Sequence, residues 1–456
     1  MADVTVGVDI GTTSVKAVAV NGDGEVLARA RVPHGVNTPE PGAFEHDVDV
    51  AWRANVVDAL AQVATGLDVA AVNVSAMVPS LTSVDGDGHA LGPGLLYGDK
   101  RGERDDRNVE QAGDSGELLA FLKWHAARTP DAHGFWPAQA VANHALCGRG
   151  AIDSSTAMTA HPLHNFVEWD AALAKDAGAS VDQLPDVVPG YWAAGEVRAG
   201  LVGEGAQVGA GTIDAFGEQL CAGADTTGDV LVLCGTTLIT WGVLDAEGEA
   251  DGLWLIPHTA PGKLLIGGPS NAGGLWLEQN KRWLGDVSAD AVAAVGADGL
   301  PVWLPYVRGE RTPLHRTDLR ASLHGASLSH TAAHLRRAAY EASAFVVRHH
   351  IDLGRGAGLS PTRIVATGGG TRDDVWMRAL ADCTGLPVHV SANPEGAALG
   401  AAYMARCVAG LESSTKDAAR WAKTDRIVDP DPTWAAAAND RYEHFRTLTD
   451  DAIAAT

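Results

Sequence analysis

Asp9 stands two residues before a Gly11-Thr12-Thr13-Ser14 turn, and half a chain later Gly235-Thr236-Thr237 repeats the same small, hydroxyl-bearing turn between apolar runs. Glycine lets main-chain N–H groups approach a ligand, and threonine hydroxyls add donors aimed at the same point, so each turn suits a polyphosphate. A carboxylate at a strand's end can hold Mg2+ through water while the turn holds the phosphates. Only the first copy carries that carboxylate, Asp9, which suggests a division of labour between two versions of one domain. A second carboxylate, Asp214, follows Gly209-Ala210-Gly211-Thr212-Ile213 and precedes a helical pattern. That position suits an N-cap, and equally a proton acceptor for a substrate hydroxyl. Gly368, Gly369 and Gly370 close an apolar run. A flat base or ribose could lie on such a backbone, and a flexible strand-to-helix connector would read the same way. The loop Leu304 to Pro313, containing Gly309-Glu310-Arg311-Thr312-Pro313, is dense in charge and turn residues, and physics alone assigns it no role.

The elements that must position these residues read as a repeated α/β pattern. Strands are expected over 4–9, 15–20 and 25–32, with Asn21-Gly22-Asp23-Gly24 as a strong turn signal. Asp47 and Asp49 offer cap chemistry to a helix on which Trp52, Val56, Leu60 and Val63 recur at helical spacing, and 69–74 follows as a strand. The order is β-β-β-α-β. Strand-like residues 229–234 restart it, 238–243 and 254–256 continue it, a long helix carries Leu335, Ala339, Ala342 and Val346, and 363–367 is again a strand. Residues 102–200, rich in Ala, His and Asp, read as an inserted helical and loop region of the kind that shapes a substrate pocket. The expected domains are 1–222 and 223–456, with the crossing in the Gly223 to Gly228 stretch.

Composition narrows the function classes. The 456 residues hold 34 Lys and Arg against 57 Asp and Glu, a formal charge of -23 that opposes binding to nucleic acid or to an anionic membrane. Small ligands are the expected partners. The start has no basic or apolar leader pattern, and no stretch approaches a membrane span, so the expected location is the cytoplasm. Five scattered cysteines without Cys-x-x-Cys spacing read as reduced, buried filler. Gly262-Lys263 lacks the flanking residues of a P-loop. Gly203, Gly205 and Gly209 fit a dinucleotide pattern only loosely, and His161 and His164, with Pro162 between them, read as a surface loop and not as zinc ligands.

Taken in order, these motifs resemble the FGGY family of carbohydrate kinases over almost the whole chain. The residues that carry the likeness are the Asp-Ile-Gly-Thr-Thr opening, Pro41-Gly42-Ala43-Phe44-Glu45-His46-Asp47 with Trp52, and Tyr97-Gly98-Asp99-Lys100-Arg101. Gly211 to Asp214, Gly235-Thr236-Thr237, the Gly-Glu-Arg-Thr-Pro loop, Gly368 to Gly370 with Trp376, and Glu395-Gly396-Ala397-Ala398-Leu399-Gly400-Ala401-Ala402 complete it. The resemblance implies two ribonuclease-H-like domains of the actin and hexokinase type, with sugar and ATP meeting in a cleft between them. It implies a sugar side carrying the catalytic base in 1–222 and an ATP side in 223–456. By position, Asp214 matches the family's catalytic base and Asp9 its magnesium-linked aspartate. Gly11, Thr12, Thr13, Ser14, Gly235, Thr236 and Thr237 match its phosphate turns, and Gly368, Gly369 and Gly370 its adenosine motif. Glu45 and Asp99 fall on the sugar side.

Ala76-Met77 stands where xylulokinase-like members carry Gly-Gln, so Met77 is expected beside the sugar with a hydroxyl partner lost. Tyr97 replaces the usual Trp before the Asp-x-Arg element, and residues 120–165 match only loosely. The Gly-Glu-Arg-Thr-Pro form leans towards xylulokinase-like and gluconokinase-like members. The expected activity is ATP- and Mg2+-dependent phosphorylation of a pentulose-like sugar. Gluconate, a tetritol or glycerol are alternatives, as is an ATPase of the actin or chaperone type, and a homodimer is left open.

Overall fold

A computed structural model describes residues 3–102, 117–260 and 262–455. Met1 and Ala2, and residues 103–116 of the expected insertion, lie outside the described residues. Two compact units result, and both are discontinuous: Met1–Cys221 with Glu395–Trp421, and Ala222–Pro394 with Ala422–Thr456.

The first unit begins with strand β1 (Val4–Ile10), buried along nearly its whole length, which explains its run of β-branched residues on both faces. It pairs antiparallel with β2 (Ser14–Val20), which pairs antiparallel with β3 (Val26–Pro33). β3 alternates exposed and sheltered positions, as an edge strand with one wet face should. A π-helical turn, Asp49–Ala54, leads into helix α1 (Asn55–Ala64), and Asp47 accepts a hydrogen bond from the Val50 N–H at its entry. Strand β4 (Val69–Ala76) then adds parallel to β1. Residues 117–200 hold short helices and strands around a satellite core of Leu81, Leu95, Phe121, Leu122, Phe135 and Leu163. β5 (Ala193–Glu196) and β6 (Gln207–Gly209) complete a sheet ordered β5-β6-β4-β1-β2-β3, and β7 (Thr212–Ile213) also pairs parallel with β4. Helix α2 (Asp214–Ala222) starts directly after β7.

The second unit repeats the scheme. β8 (Asp229–Cys234), β9 (Leu238–Leu244), β10 (Trp254–Pro257) and β11 (Leu264–Ser270) are antiparallel, and helix α3 (Gly274–Leu284) follows. Helix α4 (Ala332–Gly356) leads to β12 (Arg363–Thr367), helix α5 (Asp374–Thr384) and β13 (Val388–Ser391). In each unit three strands form an antiparallel ribbon and two further strands add parallel to the first: β3-β2-β1-β4-β6 in one unit and β11-β9-β8-β12-β13 in the other, where β10 is an extra strand paired outside β11. The duplication suggested by the two turns is therefore a duplication of topology.

The chain then returns to the first unit as helix α6 (Gly396–Val408) before β14 (Thr424–Val428) and helix α7 (Pro432–Ala455) rejoin the second. This corrects the expectation of one uninterrupted second domain over 223–456. The physical reason is the small-residue surface of α6. A Cβ at Gly7 of β1 would lie 1.8 Å from the Ala398 carbonyl oxygen, and one at Gly400 would lie 2.0 Å from the Gly217 oxygen. Only glycine permits such contacts, so α6 packs directly against the strand bearing Asp9 and the helix bearing Asp214. In the second unit, Arg441 of α7 donates to both oxygens of buried Glu341 on α4, and Arg337 bridges Glu341 to Asp382 of α5.

Candidate active site

Register places the two carboxylates of the first unit at one edge. Asp9 lies opposite Lys16 on β2 and opposite Ser75 on β4, and both neighbours bond it: Lys16 Nζ is 3.2 Å from Oδ2, and Ser75 Oγ donates to Oδ1 at 3.3 Å. Thr212 and Ile213 of β7 lie opposite Ser75 and Ala76, so the next residue, Asp214, emerges at the carboxyl ends of the parallel strands. In open α/β sheets that edge is where ligands bind. Asp214 keeps part of its surface accessible, and its Oδ1 accepts the Ala215 N–H at 2.7 Å. Enclosure by protein, then the charge of Asp9, push its pKa up to about 6, against the Ala215 N–H and Lys16, which stabilise the anion. Lys16 is held above its ordinary range chiefly by the Asp9 charge.

The first turn is fixed from behind. The Gly11 N–H donates to the Ser14 carbonyl at 3.1 Å, and Thr12 and Tyr97 share a hydroxyl hydrogen bond of 3.1 Å. His46 Nε2 lies 2.8 Å from the Thr12 carbonyl oxygen, while the Trp52 indole N–H donates to His46 Nδ1 at 3.0 Å. Thr13 is exposed, Gly11 and Thr12 are partly so, and Ser14 is buried with its hydroxyl turned to Arg31. Ser14 thus supports the turn from the protein side, contrary to the expectation that it faces a phosphate.

Asp99 is likewise spoken for. It is 1% exposed and accepts from Phe44 N–H at 2.6 Å, from the Arg101 N–H and Nε at 2.8 Å each, and from Arg101 Nη2 at 2.6 Å. These bonds use up the acceptor capacity of a carboxylate, so in this structure Asp99, expected on the sugar side, organises Arg101. Burial works against its charge, and the Arg101 and Phe44 hydrogen bonds overcome this, holding the carboxyl below its ordinary range. Glu45 remains partly accessible, bonded to Arg101 Nη2 at 2.7 Å, and the same guanidinium lies 5.0 Å from the Trp124 ring. Met77 is 2% exposed and packs in the core, so the expected place beside the sugar does not hold for its side chain. The partly accessible residues that follow it are Val78 and Pro79.

In the second unit Gly235 and Thr236 are exposed and Thr237 partly so. The N–H groups of Gly274 and Leu275, at the start of α3, donate to the carbonyls of Gly235 and Thr236 at 2.8 and 3.2 Å. The three glycines divide. A Cβ at Gly370 would lie 2.3 Å from the Trp376 ring, and one at Gly368, whose φ is +92°, would lie 3.0 Å from the Cys234 oxygen. At these two positions the protein packs on itself where a side chain would stand, which is a reason for glycine independent of any ligand. Gly369 meets nothing within 4 Å and lines a cavity of about 520 Å3 with Lys281, Arg336, Tyr340, Arg372 and Asp373. That volume and polarity suit a nucleoside. The Gly-Glu-Arg-Thr-Pro loop is an anchor: Glu310, fully buried, accepts from Ser270 Oγ, Asn271 N–H and Arg311 N–H at 2.8, 2.9 and 2.7 Å. Burial raises its pKa to about 7 against those donors.

The donor set can be tested against the implied ligands. Among the described residues no group of three or more His, Cys, Asp or Glu is arranged to hold a metal. Mg2+ commonly takes one or two carboxylates and completes its shell with water and substrate phosphates, so Asp9 beside an exposed Gly-Thr-Thr turn fits an ion carried with a nucleotide. All five cysteines are free, four buried and Cys147 partly exposed. His164, expected on the surface, is 3% exposed. Sequence reasoning missed Lys16, Ser75, Arg101 and the His46–Trp52 pair as site-building residues. The signal for Lys16 and Ser75 lies in strand register, which a single sequence does not reveal.

Known proteins resemble this chain in sequence and in fold. The N-terminal domain of the FGGY family of carbohydrate kinases matches residues 4–126 and its C-terminal domain matches 232–409. The chain is 25% identical over 480 residues to a probable L-xylulose kinase of Pasteurella multocida, covering 97% of this chain and 98% of that one. It is also 25% identical over 466 residues to a gluconokinase of Bacillus subtilis, covering 91% and 88%. The crystal structure of xylulose kinase from Rhodospirillum rubrum superposes with a TM-score of 0.78 at 28% identity over 98% of each chain. With both family domains matched in order, and full-length likeness in sequence and fold, the chain belongs to the FGGY family of carbohydrate kinases.

Proposed function

We propose that this carbohydrate kinase transfers the γ-phosphoryl group of ATP to a primary hydroxyl of a sugar or polyol, a pentulose of the xylulose type being the favoured acceptor, with Asp214 as general base. One observation carries the reading: a partly accessible carboxylate with its pKa raised to about 6 emerges at the same strand edge as Asp9 and the first Gly-Thr-Thr turn. A base in that range is ionised at neutral pH yet keeps enough proton affinity to draw a proton from an alcohol as it attacks phosphorus. Mg2+, when bound, offsets the charge of the phosphates. Asp9 would hold that ion through water, the main-chain amides of Thr12 and Thr13, and those of Thr236 and Thr237, are each suited to phosphate oxygens, and the cavity beside Gly369 would take the nucleoside. Most of the rate gain in such chemistry comes from positioning and electrostatics.

The sugar side rests on Glu45 with Arg101, a charged pair able to bond hydroxyls. The likeness to a probable L-xylulose kinase supports a pentulose. A second acceptor class, an aldonate such as gluconate, is supported by the gluconokinase relative at equal identity. No helix among the described residues is long and apolar enough to cross a membrane, and the free cysteines fit a reducing compartment, so the reading places the enzyme in the cytoplasm with ATP. ADP release measured against pentuloses, aldonates, tetritols and glycerol, with Asp214→Asn as the blank, tests it. One class should raise turnover by about 10² to 10⁴ over the blank. ATP turnover indifferent to every acceptor would favour an ATPase of the actin or chaperone type.

A further inference from the structure

The carbonyls of the two phosphate turns are both held from within the protein, by different donors. In the second turn the donors are main-chain amides, Gly274 and Leu275 of α3. In the first the Thr13 carbonyl likewise accepts a main-chain amide, that of His34 at 3.0 Å, but the Thr12 carbonyl is held by a side chain, His46, whose Nε2 lies 2.8 Å from it. A trans peptide is planar, with its C=O and N–H pointing opposite ways, so whatever pins a carbonyl inward turns the next residue's N–H outward. Pinning Thr12 C=O therefore aims the N–H of exposed Thr13 away from the protein, and pinning Gly235 and Thr236 does the same for the N–H groups of Thr236 and Thr237.

His46 is built for this single task. An indole N–H is only a donor, so Nδ1, receiving Trp52 Nε1–H at 3.0 Å, must be the unprotonated nitrogen and Nε2 must carry the hydrogen. His46 and Trp52 are 1% and 0% exposed, which keeps water from competing for either bond. Burial holds the imidazole neutral, its pKa lowered to about 4. A histidine satisfied merely as a core residue needs no particular tautomer. Here the Trp52→His46→Thr12 relay fixes one, and the Thr12 carbonyl at its end belongs to the turn.

We infer that His46, set by Trp52, is a positioning residue that orients the first turn for phosphate. The inference rests on the proposed nucleotide reading, and the test separates the two. Affinities for Mg2+ with the non-hydrolysable analogue AMP-PNP, and for adenosine, which lacks phosphates, are measured for wild type, His46→Leu, His46→Gln and Trp52→Phe. His46→Leu should weaken Mg2+·AMP-PNP about tenfold, the scale of one lost hydrogen bond, and leave adenosine binding unchanged. His46→Gln, whose amide can donate in place of Nε2, should recover binding to within about threefold of wild type. If His46→Leu does not fold, Trp52→Phe carries the test, with about a threefold loss for the analogue and none for adenosine. In ¹⁵N-histidine spectra His46 should show the Nε2–H tautomer. Equal losses for both ligands, undiminished analogue binding or an Nδ1–H tautomer would overturn the relay. A wild-type protein that binds neither ligand would overturn the nucleotide reading, and the relay with it.

Discussion

At the scale of single residues, Asp214 separates two roles that spacing alone left together. As an N-cap it would be nearly interchangeable with Asn, because both side chains accept from helix N–H groups. As a base it would not. The raised pKa of about 6 predicts that kcat/KM falls about tenfold per pH unit below pH 6, where Asp214 holds its proton and can accept no other. A pH–rate profile of the active acceptor checks this, and a limb near pH 4 would leave Asp214 without the expected role. Stability should move the opposite way. A folded-state pKa above the ordinary carboxyl value means the ionised form weighs against folding, a penalty absent at low pH and complete above about pH 6. Asp214→Asn should therefore melt higher than wild type at pH 7 to 8, with the gain vanishing near pH 4. Thermal melts at three pH values measure it.

At the scale of elements, α6 acts as a spacer beneath both carboxylates. Its glycines and alanines let it approach β1 through Gly7 and α2 through Gly217, so the separation of the two strand and helix ends depends on side chains that are nearly absent. Gly400→Val would push a branched side chain into the Gly217 backbone, 2.0 Å from where even a Cβ would sit. The expected cost is about 3 kcal/mol or more, at the upper end of overpacking. Because the clash lies under α2, activity should fall further than the folded fraction does. Denaturation curves alongside activity of the folded protein check this. A variant with wild-type stability would show that α6 and α2 are less tightly joined than their glycines require.

At the scale of the whole molecule, the interleaved units limit how the chain can be cut. Residues 1–222 lack α6, and without it the face of β1 and β4 that α6 covers, with Trp421 and Tyr403 of the same segment, is exposed. The fragment 1–222 should be aggregated or molten, whereas 1–221 joined by a flexible linker to 395–421 should be folded. Near-UV circular dichroism and gel filtration of the two distinguish the outcomes. A cooperative melt from 1–222 alone would show that the returning helix is dispensable.

The sequence by itself determined the duplicated strand meander, the two hydroxyl-rich turns, the acidic composition, and the resemblance that leads to a carbohydrate kinase. All of these follow from local pattern, where β-branched runs, glycine turns and charge leave a direct mark. Tertiary structure alone decided which residues share an edge and which are spent on the protein itself. Register brought Lys16 and Ser75 to Asp9, and four donors converge on Asp99. Packing buries the Met77 side chain and leaves no room for one at Gly368 or Gly370. Hydrogen bonds and close contacts join residues far apart in the chain, and an isolated sequence carries no measure of that distance. The same holds for α6, whose alanines and glycines read as an ordinary helix until the strand they must touch is in view.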